Sequence, residues 1–352
     1  MRKPSILTFL RNNIVLSYSI VLCFMIVSVS LGVSVGSVPI PLFHVLRILT
    51  SSLFHLPIPH DIDRGTVNIV MDIRFPRAVL ALLVGCSLSL AGCAFQGLLK
   101  NPLADPYTLG VSSGGALGAV AVLFFGISLP FFGDYTLPII SVLTAFLTLL
   151  IVIFFARLVH RSLSVETIIL AGIIFSSFLG ALISLLIALT GEELRSIIGW
   201  IMGSVSMRGW PYIGLILPFF LVGFFILMMN ARELNALAFG ENDARAIGVN
   251  VQRHKMYVLF AASLLTGSAV AVSGTIGFVG LVIPHMARLI WGVDHRHLLP
   301  LSMGVGGAFL VLVDLLARTI ISPTELPIGV LTAIIGSPVF AFIFIRSRRK
   351  EV

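Results

Sequence analysis

Polar side chains fall in short clusters along this chain, and apolar ones in long runs between them. A run of about 20 mainly apolar residues makes a helix long enough to cross hydrocarbon. Such runs occupy residues 14–36, 78–98, 107–126, 138–158, 166–189, 211–230, 256–273, 276–291, 298–317 and 328–345. The pattern predicts an all-α membrane protein of about ten spans, organised as one domain over residues 1–352. The run 276–291 is short and opens among glycines, so it is the least regular span. The first run follows Arg2, Lys3 and Arg11. It is longer than the roughly 7–15 apolar residues of a signal-peptide core, so it reads as a retained helix.

The polar clusters set the orientation, because Lys and Arg accumulate on the cytoplasmic side of spanning helices. With the N-terminus inside, the inner segments hold sixteen Lys and Arg residues and the outer segments seven, which accounts for all 23. An even number of spans then places both termini in the cytoplasm. Two connecting segments are large. The outer one, 37–77, is amphipathic, carries Pro39, Pro41, Pro57 and Pro59, and is expected to lie along the outer face. The inner one, 231–255, is polar and charged. Its apolar positions Leu234, Leu237, Ala238, Ala244 and Ile247 predict short surface helices broken near Gly240.

Composition removes the other broad classes. The chain is 58% hydrophobic and 11% charged, with mean hydropathy +1.08. Soluble domains carry about 25% charged residues, needed to cover a wet surface. The net charge of +8 lies in loops between apolar runs, so it is a topology signal and not a nucleic-acid groove. Cys23, Cys86 and Cys93 all lie inside apolar runs and lack CxxC spacing, and the eight histidines are scattered. No disulfide framework or metal site is expected.

The two halves of the chain share a pattern. At an offset of 182 residues, Leu82, Leu83, Gly85, Gly92, Leu99, Pro102, Gly110 and Val111 meet Leu264, Leu265, Gly267, Gly274, Leu281, Pro284, Gly292 and Val293. The second span would run inward and the seventh outward, as in transporters built from inverted repeats. Gly110, Gly114 and Gly118 recur at four-residue spacing, which lets helix backbones approach closely. They suit helix packing first and a pathway lining second. Gly274, Gly277 and Gly280, followed by Pro284, suggest a broken helix, which is tolerated at membrane depth only under protein or beside a water-filled cavity.

Coupling chemistry is sparse. The ionisable residues in or near spans are Asp314, Glu166, His285 and Arg288, and no relay of carboxylates crosses the membrane. Asp314 stands four residues before Arg318, as a helix-face ion pair would. None of the four lysines precedes Ser or Thr, so the chain has no Gly-x4-Gly-Lys-Ser/Thr phosphate loop. A transporter without these groups would take its energy from a cytoplasmic partner, with 231–255 as the docking surface. The alternatives are an ion-coupled secondary carrier and a membrane anchor without transport.

Several blocks resemble the permease family of the iron-chelate and cobalamin ABC importers. These are Arg74-Phe-Pro-Arg77 with the following LLVGCSLSLAGCAFQGLLKNPLADPYTLGVSSGGALGA, then GENDARAIGV, SGTIGFVGLVIPHMARL, DHRHLLPLS and ELPIGVLTAIIGSPVF. They occur in order and cover nearly the whole chain.

The resemblance implies a type II ABC importer permease with ten spans in the bacterial cytoplasmic membrane. It implies pairing with a second permease subunit as a homodimer or with a close relative. Two ATP-binding subunits would carry ATP-Mg, the chain itself binding no cofactor, and an extracytoplasmic binding protein would deliver substrate. Arg74, Arg77 and Arg318 resemble the basic residues that receive acidic groups of that binding protein. Glu241, Ala244 and Gly248 resemble the motif whose short helices fit the ATPase. Ser164, Val165 and Glu166, in the turn from Arg161 to Thr167, resemble the inner gate, with the fifth and tenth spans lining the pathway. The implied cargo is a ferric siderophore first, then cobalamin, then haem.

Overall fold

The computed structural model describes residues 6–57, 61–159 and 164–348, and among these there is no strand. Arg2, Lys3, Pro59 and Arg161, all named above, lie outside the described residues. The first third holds α1 (Ile6–Asn12), α2 (Ile14–Ser34), α3 (Leu42–Leu53), α4 (Arg64–Asn68), α5 (Phe75–Leu98), α6 (Val111–Phe125) and α7 (Thr136–Val159). The middle holds α8 (Val165–Leu189), α9 (Leu194–Ile201), α10 (Gly209–Met229), α11 (Ala231–Phe239) and α12 (Glu241–Ala246). The chain ends with α13 (Val251–Ser273), α14 (Val279–Trp291), α15 (His295–Thr319) and α16 (Ile328–Arg348).

A helix stands at each of the ten apolar runs, and among the described residues seven are long and apolar enough to cross a membrane on those grounds alone. The helices α6 and α14, of 15 and 13 residues, fall short of that length. Two boundaries move for local reasons. α6 begins at Val111, not 107, because Pro106–Leu109 forms a 3-10 turn that ends on Gly110 at φ +78. α14 begins only at Val279, because residues 274–278 leave the helical path, with Gly274 at φ +71.

The segment 37–77 departs from expectation over its last third. α3 does lie amphipathically, with Val45 and Ile48 buried and Phe43 and Leu53 exposed. Residues 64–77, however, are not a surface stretch. α4, a π-helical turn at Ile69–Arg74 and α5 run on as one helix from Arg64 to Leu98.

The apolar helices sort into inner and outer layers. The most apolar window of α5 is 83% buried and that of α13 78%, whereas those of α2 and α8 are 17% buried. Leu22 and Ile26 on α2, Phe178 and Leu185 on α8 and Phe225 on α10 therefore face outward in quantity, as only lipid or another apolar subunit accommodates.

Between membrane helices there is little hydrophobic driving force, so association rests on close packing and hydrogen bonds. The α5–α15 seam is built that way. A Cβ on Gly85 would lie 2.3 Å from the Gly306 carbonyl oxygen, and the Ser89 hydroxyl donates to the Ser302 carbonyl at 2.8 Å. α14 approaches α5 as closely, since a Cβ on Gly92 would sit 1.8 Å from the Gly280 carbonyl. On α6, Gly114 and Gly118 receive Thr148 and Thr144 of α7, so this glycine series packs helices.

Packing partners recur between the halves, but the recurrence pairs α6 with α14, whose first residues Val111 and Val279 lie 168 apart, so the 182-residue register does not hold there. α5 packs on α14 and α15, and α13 packs on α6 and α7. α6 meets α7 and α8, while α14 meets α15 and α16. The two halves also run in opposite senses. α5 begins, at Arg77 beside Ser206, on the face where α13 ends, with the Ser273 carbonyl accepting from Ser204 N. α5 ends, and α13 begins, on the face that carries α11 and α12.

Candidate functional site: two opposite faces and the helices joining them

On one face, the charged segment forms a small platform. α11 and α12 are separated at Gly240, whose φ of +144 suits glycine alone. Leu234, Leu237 and Ala244 turn inward and are fully buried. Phe239 is 83% exposed and Ile247 72%, so each short helix presents one large apolar side chain to whatever covers this face.

α12 closes on a helix-terminating motif that requires glycine. Val249 N donates to the Ala244 carbonyl at 3.0 Å and Gly248 N to the Arg245 carbonyl at 3.0 Å, with Gly248 at φ +89. A Cβ on Gly248 would meet nothing within 4 Å, so space does not exclude other residues there; backbone conformation does.

Two sets of polar contacts hold the platform to the spans. Asn235 on α11 accepts from His295 N at 2.8 Å and donates to the Asp294 carboxylate at 2.7 Å. Asp294, between α14 and α15, also caps α15 and pairs with Arg296 at 2.6 Å. Hydrogen bonds from Arg296 hold its carboxyl well below the usual carboxylate range, against the opposing effect of burial. Glu241, first residue of α12, forms ion pairs with Lys255 on α13 and with Arg245 at 3.6 Å. Its carboxylate is therefore directed into the chain and not only toward a partner.

The opposite face gathers the three arginines singled out in the sequence, and all three are spent internally. Arg74 is 6% exposed and donates to the carbonyls of Val33, Ser34 and Val38 at 3.1, 3.0 and 2.6 Å. Arg318 donates to the Gly32 carbonyl. Together they satisfy the orphan carbonyls at the end of α2, where positive charge also complements the helix dipole.

Arg77 clasps three elements. Its Nε donates to both oxygens of Asp314 at 3.1 and 3.0 Å, and its terminal nitrogens reach Glu325 at 2.7 and 3.0 Å and Ser206 at 3.2 Å. Asp314 is thus chiefly the partner of Arg77 on α5. The expected Asp314–Arg318 pair on α15 exists as a longer contact, at 3.8 Å. Glu325, in the loop before α16, feels burial pushing its pKa up, but hydrogen bonding and the charge of Arg77 bring it below the ordinary value.

Between the faces, three helix breaks meet. Ser204 N donates to the Ser273 carbonyl, Ile328 N to Gly203 and Gly329 N to Met202, at 2.8, 3.0 and 3.1 Å. The end of α9, the link 274–278 and the start of α16 therefore form one non-helical junction covered by protein. Gly274 belongs to it, with a would-be Cβ 2.1 Å from the Trp200 carbonyl. Gly280 and Pro284 are buried in α14, Gly280 against Leu88 and Pro106. Gly277 has no atom within 4 Å of its would-be Cβ.

Sequence reading missed Asp105-Pro106-Tyr107, which reaches back to the level of this junction. The Asp105 carboxylate caps Tyr107 N at 3.2 Å, and Ser176 of α8 donates to the Tyr107 carbonyl at 3.3 Å. The available signal was an Asp-Pro pair four residues before Gly110. In the remaining region, Ser164 caps α8 by accepting from Thr167 N at 3.3 Å, Val165 packs on the core and Glu166 lies in the first turn. Among the described residues, no three His, Cys, Asp or Glu side chains gather as metal ligands would.

Comparison with known proteins bears on this arrangement. The model of the FecCD transport family matches residues 23–346. An ABC transporter permease protein of Bacillus subtilis (strain 168), YvrB, is 59% identical over 349 residues, covering 99% of each chain. The cobalamin import system permease protein BtuC of Halobacterium salinarum is 40% identical, over 84% of this chain and 78% of its own. A solved structure of a metal-chelate type ABC transporter in an inward-facing conformation superposes with a TM-score of 0.81 at 34% identity, covering 94% of this chain and 99% of that one.

Proposed function

The chain belongs to the FecCD transport family of ABC importer permeases, and we propose that it forms, with a second permease subunit, the translocation pathway for a metal chelate. Ten spans cross the bacterial cytoplasmic membrane, with both termini and the α11–α12 platform in the cytoplasm. Two ATP-binding subunits dock on that platform and supply ATP-Mg. The observation that carries this reading is the platform itself. Phe239 and Ile247 stand exposed on short helices fixed to α13 and α15, in a chain without a phosphate-binding loop of its own.

The Arg77 face would then receive an extracytoplasmic binding protein. Glu325 occupies the Arg77 fork with a side chain 41% exposed, so an acidic group of the partner could take its place by exchanging one carboxylate for another. Arg74 and Arg318 contribute positive potential from below. Ferric siderophores come first as cargo, cobalamin second and haem third. Ser164–Glu166 would act as the inner gate, beside a pathway lined by α8 and α16.

Affinity purification of the tagged chain from its native membrane tests the assembly. Recovery of an ATP-binding subunit and a soluble binding protein is expected, and that binding protein is then titrated with ferric siderophores, cobalamin and haem. Isolation of the chain alone, under conditions that preserve other ABC complexes, would favour an ion-coupled carrier.

A further inference from the structure

α12 is six residues long, far too short to hold its own shape in water. Its grip on the membrane domain comes from the burial of Ala244 and from Glu241, whose carboxylate meets Lys255 on the second turn of α13. The Lys255 side chain is 1% exposed and that of Glu241 28%. Beside it, His254 meets the Asn230 side chain at 2.6 Å, so the same turn of α13 also holds the α10–α11 corner.

α13 is a continuous helix of 23 residues, a rod of about 34 Å at 1.5 Å per residue. Its far end is Ser273, whose carbonyl accepts from Ser204 and so ties it to the junction of α9 and α16. α15 also starts at the platform, through His295 and Asn235, and α10 runs back from beside the junction to Asn230. Among the described residues, however, α12 itself is ion-paired to no span other than α13.

We propose that the Glu241–Lys255 pair is the tether through which nucleotide-driven movement of α12 is carried along α13 to the α9–α13–α16 junction at the far end of that helix. This rests on the importer reading and adds to it a positioning role for Lys255, a residue too buried to touch the ATPase. In that role, Lys255 works by converting a push on a short surface helix into axial or tilting motion of a buried one. A lysine that merely satisfied its own burial would leave that transmission untouched when replaced.

The experiment uses the whole complex of this chain with its ATP-binding subunits, in lipid nanodiscs. Met207 follows the junction and is 99% exposed, so Met207→Cys in a Cys23→Ser background accepts an environment-sensitive fluorophore. The remaining Cys86 and Cys93 are buried and do not compete. Mg-ATP should change the emission of the otherwise unaltered complex. In Lys255→Met, which removes the buried charge and leaves a partly exposed carboxylate near Arg245, that change should fall about fivefold or more while ATP hydrolysis continues. The exchanged pair Glu241→Lys with Lys255→Glu should restore it.

An undiminished emission change in Lys255→Met would overturn the proposal. So would loss of the ATPase from that variant, or failure of the exchanged pair to restore the signal, since the pair would then be structural. No emission change in the unaltered complex, with ATPase bound and active, would show that α13 carries no movement to the junction. Absence of any bound ATPase on the unaltered chain is a different failure, and it falls on the importer reading.

Discussion

Replacing Arg77 with methionine keeps the apolar stem of the side chain and deletes its five donors. The group left behind is Asp314, whose side chain is 3% exposed and whose two closest charged partners are Arg77 and, at 3.8 Å, Arg318. Breaking a buried ion pair by removing one member costs about 3–5 kcal/mol, because the other charge stays desolvated. Arg318 partly compensates, which places the cost near about 3 kcal/mol. Glu325 adds little, since it can turn to solvent. For a chain larger than 250 residues, about 2 °C or less per kcal/mol corresponds to a Tm lower by about 5 °C. The assay is thermal unfolding of the purified chain in detergent, followed by loss of the monodisperse species. Arg77→Met with Asp314→Asn should recover most of the loss, because the neutral amide needs no counter-charge. If Arg77→Met melts with the parent chain, or if the double variant is no better than the single, the clasp contributes nothing and Arg77 is free to serve the surface alone.

Three further outcomes are expected. Gly248→Leu forces a branched side chain into φ +89, costing about 1–2 kcal/mol locally; uptake per ATP hydrolysed should fall while the spans stay folded, and normal values of both would remove α12 from the coupling path. Phe239→Asp with Ile247→Asp should weaken ATPase association by about tenfold or more, measured by co-purification, without changing Tm; unchanged recovery would move the docking surface elsewhere. Asp294 has a depressed pKa, so its contribution is present above the ordinary value of about 3.9 and is lost only as pH falls through the lower folded-state value. The difference in Tm between the parent chain and Asp294→Ala should accordingly be flat from about pH 5 to 8, and a midpoint inside that range would contradict the assignment of charges.

The parts of the fold that depend on local pattern were readable in the sequence. All ten apolar runs became helices, and the break at Gly240 lies where polar and glycine residues predicted it; the exchanged packing partners follow helix order and not the 182-residue register. The fates of the arginines were not readable. Arg74 binds carbonyls 36 to 41 residues away and Arg77 binds carboxylates more than 230 residues away, relations that no local window contains. Asp314 was visible only beside Arg318, because i,i+4 spacing is the one pairing that sequence displays; its closer partner came from α5. Glu241 carried a motif resemblance pointing outward, whereas its carboxylate turns in to Lys255. The continuous helix from Arg64 was hidden by the polar residues of its first turns, which Asp63 caps by accepting from Thr66 N.

In the importer reading, this chain moves a chelate only when an ATPase drives it. The direct measurement is uptake into proteoliposomes containing the purified chain, with its co-isolated ATP-binding subunits enclosed and its binding protein outside. Ferric siderophore, cobalamin and haem are offered in turn. Accumulation of one of them that requires internal Mg-ATP, and persists when ionophores collapse proton and sodium gradients, is the predicted result. Accumulation by the chain alone, driven by an ion gradient and indifferent to ATP, would contradict it.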